Sequence, residues 1–214
     1  MTDNRKSALK TGPQPAIVYI VDDDISIRES LVDLFSSLKM DAVGFESAAE
    51  LLAGMDPSRP GCILLDIRLP GISGLDFQAQ LEKMGSQVPI IMMTGFGDIP
   101  MSVRAMKAGA VDFLTKPFRD QDILDAVAAA MEKDGAIRKK SAANDAVNSL
   151  IGTLTPREVQ VMHAVVKGML NKQIAFDLGI SEITVKLHRG NVMRKMQVHT
   201  VADLVRMIET ISVK

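Results

Sequence analysis

The stretch Cys62-Ile63-Leu64-Leu65-Asp66-Ile67-Arg68-Leu69-Pro70-Gly71 sets four apolar residues directly against a carboxylate and a Pro-Gly turn. A short apolar run closed by a turn reads as a strand buried on both faces, the kind that parallel sheets require. Similar runs recur on both sides of it: AIVYIV (16–21), AVGF (42–45), PIIMMT (89–94) and AVDFL (110–114). Helical patterns separate them. Ile27, Leu31, Leu34, Phe35 and Leu38 repeat at helical spacing, and Ser47 with Glu50 forms a capping box for the next helix. GLDFQAQLEKMG ends at Gly85, DIPMSVRAMKAG has Asp98 as its expected cap and Gly109 just past its end, and DQDILDAVAAAMEK supplies a fifth helix. Strands alternating with helices predict an α/β domain over 15–133, built on a five-stranded, parallel, doubly wound sheet.

The next stretch, 134–150, is small, polar and charged. It reads as a linker, with extension of the fifth helix as the other reading. Residues 151–214 then turn wholly helical. Thr155-Pro156-Arg157-Glu158 joins a capping box to a proline at the first helical position, and Gly168 ends that helix. Asn171 is placed as the cap of a short helix, Gly179-Ile180-Ser181 makes a tight turn, Ser181 caps a helix over 182–196, and a last helix covers about 200–211. Two short helices around a glycine-containing turn suggest helix-turn-helix.

Charge follows the same division. Residues 13–133 carry 18 acidic and 10 basic side chains (−8), and residues 134–214 carry 7 and 12 (+5). Such asymmetry suggests two domains with different partners, although solvated surface charge gives the same pattern. No apolar run approaches the ~18–20 residues that span a bilayer, and the polar stretch 1–14 reads as a flexible tail. One cysteine excludes an internal disulfide and fits a cytoplasmic location. Three scattered histidines give no zinc pattern.

In open parallel sheets, ligands bind beyond the carboxyl ends of the strands. Strand one ends in Asp22-Asp23-Asp24, strand three in Asp66, strand four in Thr94, and strand five runs into Lys116-Pro117. Each has an ordinary explanation: a helix cap, a strand terminator, a turn residue, a surface lysine. Together they bring carboxylates, a hydroxyl and an ammonium to one rim. Crowded carboxylates need a cation, and Mg²⁺ takes oxygen ligands and phosphate oxygens. Beside such a cation and a lysine, a carboxylate can attack a phosphoryl donor and become an aspartyl phosphate.

IVDDD, LLDIRLPGISG, MMTG and FLTKPF together resemble the receiver domain of two-component response regulators, and TGFGDIPMSVRAMKAGAVDFLTKPF is closer still to the FixJ subgroup. The resemblance implies a flavodoxin/CheY-like fold. It implies Mg²⁺, with Mn²⁺ able to substitute, on Asp22, Asp23, Asp66 and the backbone carbonyl of Arg68. It implies Asp66 as phosphoacceptor from a sensor histidine kinase, Thr94 and Lys116 on the phosphoryl oxygens, Phe113 as a switch residue, and a cis Lys116–Pro117 bond.

On the helix 182–196, Val185, His188, Val192 and Met196 form one face, read as the core side. Glu182, Lys186, Arg189, Gly190 and Met193 lie opposite, flanked by Arg194 and Lys195. That cationic side suits the major groove of DNA; a solvated basic helix is the plainer reading. LTPREVQVM and NKQIAFDLGISEITVKLHRGNVMRKM closely resemble the four-helix LuxR-type DNA-binding domain of FixJ and NarL regulators. By position this implies base contacts from Lys186 and Leu187, phosphate contacts from Asn171, Lys172, Thr184 and Lys195, and Arg189 in the same DNA-facing set. It further implies a homodimer on phosphorylation, formed at a surface around helix four, strand five and helix five, with the helix around Val201–Ile208 as the family's usual dimer surface, and with two DNA half-sites and RNA polymerase as partners. The expected activity is therefore not enzymatic beyond the receiver's own phosphotransfer and dephosphorylation. Two other readings stand beside it. Asp22-Asp23-Asp24-Ile25-Ser26 nearly matches the nucleophile motif of haloacid-dehalogenase-like phosphatases, which leaves Asp66 without a role. A receiver can also serve an RNA-binding antiterminator, which leaves the helix-turn-helix without one.

Overall fold

The computed structural model describes residues 14–95 and 99–212. The chain divides into two compact units, 1–137 and 138–214. The first holds five strands, β1 (Ile17–Val21), β2 (Asp41–Phe45), β3 (Gly61–Asp66), β4 (Ile90–Thr94) and β5 (Asp112–Thr115). All neighbours pair in parallel, in the order β2-β1-β3-β4-β5. The helices are α1 (Ile25–Ser37), α2 (Ala48–Gly54), α3 (Gly74–Lys83), α4 (Ile99–Lys107) and α5 (Asp120–Gly152). Asp98, the expected cap of α4, lies outside the described residues, as does most of the expected tail.

Strand side chains alternate between the two faces, and both faces are dry. Val18, Ile20, Cys62, Leu64, Ile91 and Met93 pack under Leu31 and Phe35 of α1 and Ile123 and Val127 of α5. Tyr19, Val21, Ile63, Leu65 and Met92 pack under Leu51 of α2, Phe77 of α3 and Ala105 of α4. Continuous apolar strands follow from that double burial. Truncating a fully buried member such as Leu64 to alanine costs about 2–5 kcal/mol.

Strand β3 ends on Asp66 as read from the sequence, and Ile67 N still donates to Met93 O at 2.9 Å just past it. The segment 134–150 is helical throughout and belongs to α5, a single helix of 33 residues. Its Ala, Lys and Arg content favours helix, and Val147 and Leu150 pack against the helical core that follows.

The second unit contains α6 (Pro156–Val166), α7 (Asn171–Leu178), α8 (Glu182–Lys195) and α9 (Val201–Ser212). Val161, Met162, Val165, Ile174, Val185, Val192, Met196, Leu204 and Ile208 form its core. Thr155 and Glu158 close the capping box of α6. Gly179 ends α7 in the left-handed region at φ 64°, which frees the chain to turn into Ser181, the cap of α8. Asn171 is not a cap: it is the first residue of α7, the cap position is Leu170, and Gln173 Oε1 accepts from Leu170 N at 2.8 Å.

Candidate functional site: an acidic rim and a basic helix

Parallel pairing places the ends of β1, β3, β4 and β5 on one rim. Asp22 follows β1 directly and is fully buried. Its Oδ1 accepts from Asp24 N at 3.1 Å, and its carbonyl accepts from Arg28 Nη1 at 2.7 Å. Asp66 is also buried, and its Oδ1 accepts from Arg68 N at 2.9 Å. Lys116 Nζ donates to Asp22 Oδ2 at 2.5 Å and to Asp66 Oδ2 at 2.6 Å, so one ammonium joins two strand ends. The Lys116–Pro117 peptide is cis. Thr94 is buried at the end of β4, one residue beyond Met93, the register partner of Asp66. Its carbonyl accepts from Lys116 N at 2.7 Å. Phe113 on β5 sits opposite Met92, half-buried against the apolar layer that includes Ala105 of α4.

Burial pushes the Asp22 carboxyl above its ordinary pKa, although Lys116 opposes the shift. Burial works against the Lys116 ammonium as well, but hydrogen bonds and charge from Asp22 and Asp66 prevail and hold its pKa above the usual lysine value. Carboxylate oxygens of Asp22, Asp23 and Asp66 lie within 4.8 Å of one another. This is an all-oxygen, anionic set of the type that Mg²⁺ takes. Asp24 does not belong to it; its side chain turns back to accept from Ser26 N at 2.8 Å and caps α1.

The sequence reading missed two contributors. Arg28 holds the Asp22 carbonyl from α1. Gly74 lets the start of α3 lie against β3: a Cβ there would fall 2.4 Å from the Asp66 carbonyl oxygen. The short β3–α3 connection was the available signal for the second. An isolated bridge between Arg68 and Ser73 closes that connection.

In the helical unit, Leu170, Asn171, Lys172, Glu182, Lys186 and Arg189 line an open groove between α7 and α8. Arg189 Nη1 donates to Asn171 Oδ1 at 2.8 Å, so these two expected DNA contacts are joined. Lys172, Lys186 and Leu187 are exposed. Thr184 Oγ1 lies 2.8 Å from Ser181 Oγ inside the cap of α8. Lys195 corrects the sequence reading of that face. Its Nζ is 2.6 Å from Glu158 Oε2 and 3.1 Å from Thr153 O, so it braces the start of α6 rather than the exposed side of α8. Met193 differs too, packing against the core. His188 is half-buried on the core side, and its Nδ1 is buried without a hydrogen-bond partner among the described residues. No described helix is long and apolar enough to cross a membrane.

Comparison with known proteins covers both units. Residues 18–128 match the response regulator receiver domain, and residues 152–208 match the bacterial regulatory proteins of the luxR family. Nodulation protein W of Bradyrhizobium diazoefficiens is 53% identical over 198 residues, 92% of this chain and 87% of that protein. Transcriptional regulatory protein FixJ of Azorhizobium caulinodans is 43% identical over 91% of this chain and 92% of its own. Among solved structures, the response regulator StyR aligns with a TM-score of 0.78 at 43% identity, over 92% of this chain and 99% of that one. Full-length FixJ from B. japonicum aligns with a TM-score of 0.54 at 35% identity, over 92% and 98%.

Proposed function

Because this chain belongs to the two-component response regulators, as a transcription regulator with a receiver domain and a LuxR-type DNA-binding domain, we propose that phosphorylation of Asp66 controls its pairing on DNA. The observation that carries this reading is the Lys116 ammonium shared between Asp22 and Asp66, beside the buried Thr94. A carboxylate oxygen of Asp66 attacks phosphorus on a phosphohistidine of a sensor kinase. The P–N bond breaks, its electron pair returns to the imidazole, and an acyl phosphate forms on Asp66. Lys116 keeps its proton through this step, because two carboxylates hold its pKa up, and offers a fixed positive charge to the phosphoryl oxygens. The Thr94 hydroxyl donates to one of those oxygens. Asp22, Asp23, Asp66 and the Arg68 carbonyl would hold Mg²⁺, or Mn²⁺ in its place. Bound there, it would supply positive charge against the negative charge spread over the transferring group. The acyl phosphate later hydrolyses at the same rim, so no external substrate is turned over.

Thr94 and Phe113 then move inward together. A surface including α4 and β5 takes its second arrangement, and two chains pair. Paired helical units meet two half-sites on duplex DNA, with Lys186, Leu187 and Arg189 toward the bases and Asn171, Lys172 and Thr184 toward phosphates. Bound there, in the cytoplasm, the dimer meets RNA polymerase. The test is incubation with Mg²⁺ and acetyl phosphate. Wild type gains one phosphoryl group by intact mass, dimerises and retains duplex DNA; Asp66→Asn does none of these. An unmodified wild type overturns the reading.

A further inference from the structure

Two large apolar side chains stand exposed on the first turns of α8. Ile183 is 80% and Leu187 63% exposed. Four residues apart, they share one side of the helix, away from the buried Val185, Val192 and Met196. Cations surround them: Lys186 lies between them in sequence and lines the groove with Lys172 and Arg189. One turn further, a Cβ on Gly190 would meet nothing within 4 Å, so the space past Leu187 is open. A water-facing isoleucine–leucine pair framed by lysine and arginine matches a partner that is anionic outside and locally apolar inside.

The major groove of duplex DNA has that character. Its walls are phosphates, and its distinctive apolar group is the C5-methyl of thymine. Residues at the start of the second helix of a helix-turn-helix are those that reach base edges. We propose that Ile183 and Leu187 together read thymine methyl groups, making Ile183 a specificity-determining residue and biasing each half-site toward A·T pairs beneath the start of α8. This rests on the DNA-binding reading given above and deepens it.

The probe is a randomised duplex pool. Full-length chain, treated with Mg²⁺ and acetyl phosphate, selects bound duplexes from it. The selected pool is then copied with thymine or with uracil, which differs only in lacking the methyl. Losing one methyl-sized apolar contact weakens binding about fourfold, so losing one in each of two half-sites weakens it on the order of tenfold. In Ile183→Ala with Leu187→Ala, both exposed and helix-compatible changes checked by circular dichroism, binding to both copies weakens and the difference between thymine and uracil disappears; Ile183→Ala alone narrows that difference. Equal wild-type affinity for both copies overturns the proposal and leaves DNA binding intact. So does a thymine preference that survives in the double variant, because shape or another residue then carries it. Failure to retain any duplex overturns the DNA-binding reading itself, and this inference with it.

Discussion

Gly74→Ala tests the link between the fold and the acidic rim. Gly74 is the first residue of α3, buried against the end of β3, and its N–H donates to Ile67 O at 2.8 Å. A Cβ at this position would lie 2.4 Å from the Asp66 carbonyl oxygen, 2.9 Å from Ile67 Cα and 3.1 Å from Asp66 C. Real Cβ contacts essentially never fall below 3.0 Å, so the two backbones must part by about 0.6 Å, the difference between 3.0 and 2.4. Two effects compete. Alanine is the better helix former by about 0.5–1 kcal/mol. Overpacking costs about 1–3 kcal/mol, and the upper half applies because every close atom is backbone and cannot rotate away. The clash wins by about 1–2 kcal/mol, which lowers the receiver melting temperature by roughly 4–8 °C. The same displacement moves Asp66. Misplacing a reacting group by about 1 Å costs on the order of a hundredfold in rate, so adduct formation from acetyl phosphate falls by roughly tenfold or more.

Gly71→Ala is the control. Gly71 has φ 85° and open space around its missing Cβ, so alanine there brings strain of about 1 kcal/mol without pressing on Asp66. Thermal melts and intact-mass time courses on both variants separate the effects. Both lose stability, and only Gly74→Ala loses phosphorylation rate. A Gly74→Ala protein that melts and phosphorylates as wild type refutes the packing argument. One that melts early yet phosphorylates normally refutes the step from α3 to Asp66.

Three further outcomes follow from buried and paired groups. Lys116→Met removes the ammonium from the fully buried Asp22, costing about 3–5 kcal/mol near neutral pH. The raised Asp22 pKa climbs further without it, so protonation relieves the deficit as pH falls; denaturation at pH 5 and pH 7.5 checks this, and a pH-independent deficit refutes it. Glu158 is held at a pKa of about 2, first by its hydrogen bond from Lys195 and then by the Thr155 N–H, against an ordinary value of 4.5. A depressed carboxylate contributes stability that is complete above about pH 4.5 and lost as pH falls through about 2; melts of wild type and Glu158→Gln converge across that window. Cys62 is buried with its thiol pushed up to about 12, chiefly by burial and then by Asp134; iodoacetamide leaves the native protein unlabelled at pH 8 and labels it in urea.

The three central strands β1, β3 and β4 were legible because double burial writes itself as uninterrupted apolar residues. The extension of α5 was less so. Between Lys133 and Val147 the apolar stripe is weak, and the sequence signal for a helix is mainly that stripe. Intrinsic preference in Ala, Lys and Arg favours the helix there, against about 1 kcal/mol for the glycine at 135, and Val147, Leu150 and Ile151 pack its last turns against the helical core. The error on Lys195 has a related cause. Its position around α8 follows from 100° per residue, but its partner does not. Glu158 lies 37 residues earlier, where its carboxylate already accepts from Thr155 N in the capping box. The motif announced the box and gave no sign of a third participant. Asn171 shows the same limit: asparagine before a helical run reads as a cap, while Gln173 closes α7 and Asn171 takes the Arg189 guanidinium.

The three aspartates after β1 show what position along the chain decides that residue type does not. Asp22 follows a strand buried on both faces, so its side chain enters the sheet end, loses its water and needs Lys116. Asp23 is exposed on the rim, within ligand distance of the other two carboxylates. Asp24 has the extended φ and ψ of a cap, and its oxygen is used by Ser26 N. Two of the three therefore stand together with Asp66 on the rim, and one caps the helix. The charge left at the rim is three carboxylates against one ammonium. A phosphoryl group on Asp66 adds about one more negative charge there, so Lys116 alone cannot balance the modified rim. Oxygen-bound divalent cation and acyl phosphate are thus expected to stabilise one another. Removing Mg²⁺ with a chelator should lower the yield of adduct more steeply in Asp23→Asn, where one of the three carboxylates is already lost, than in wild type. Equal chelator sensitivity in the two would place Asp23 outside the site.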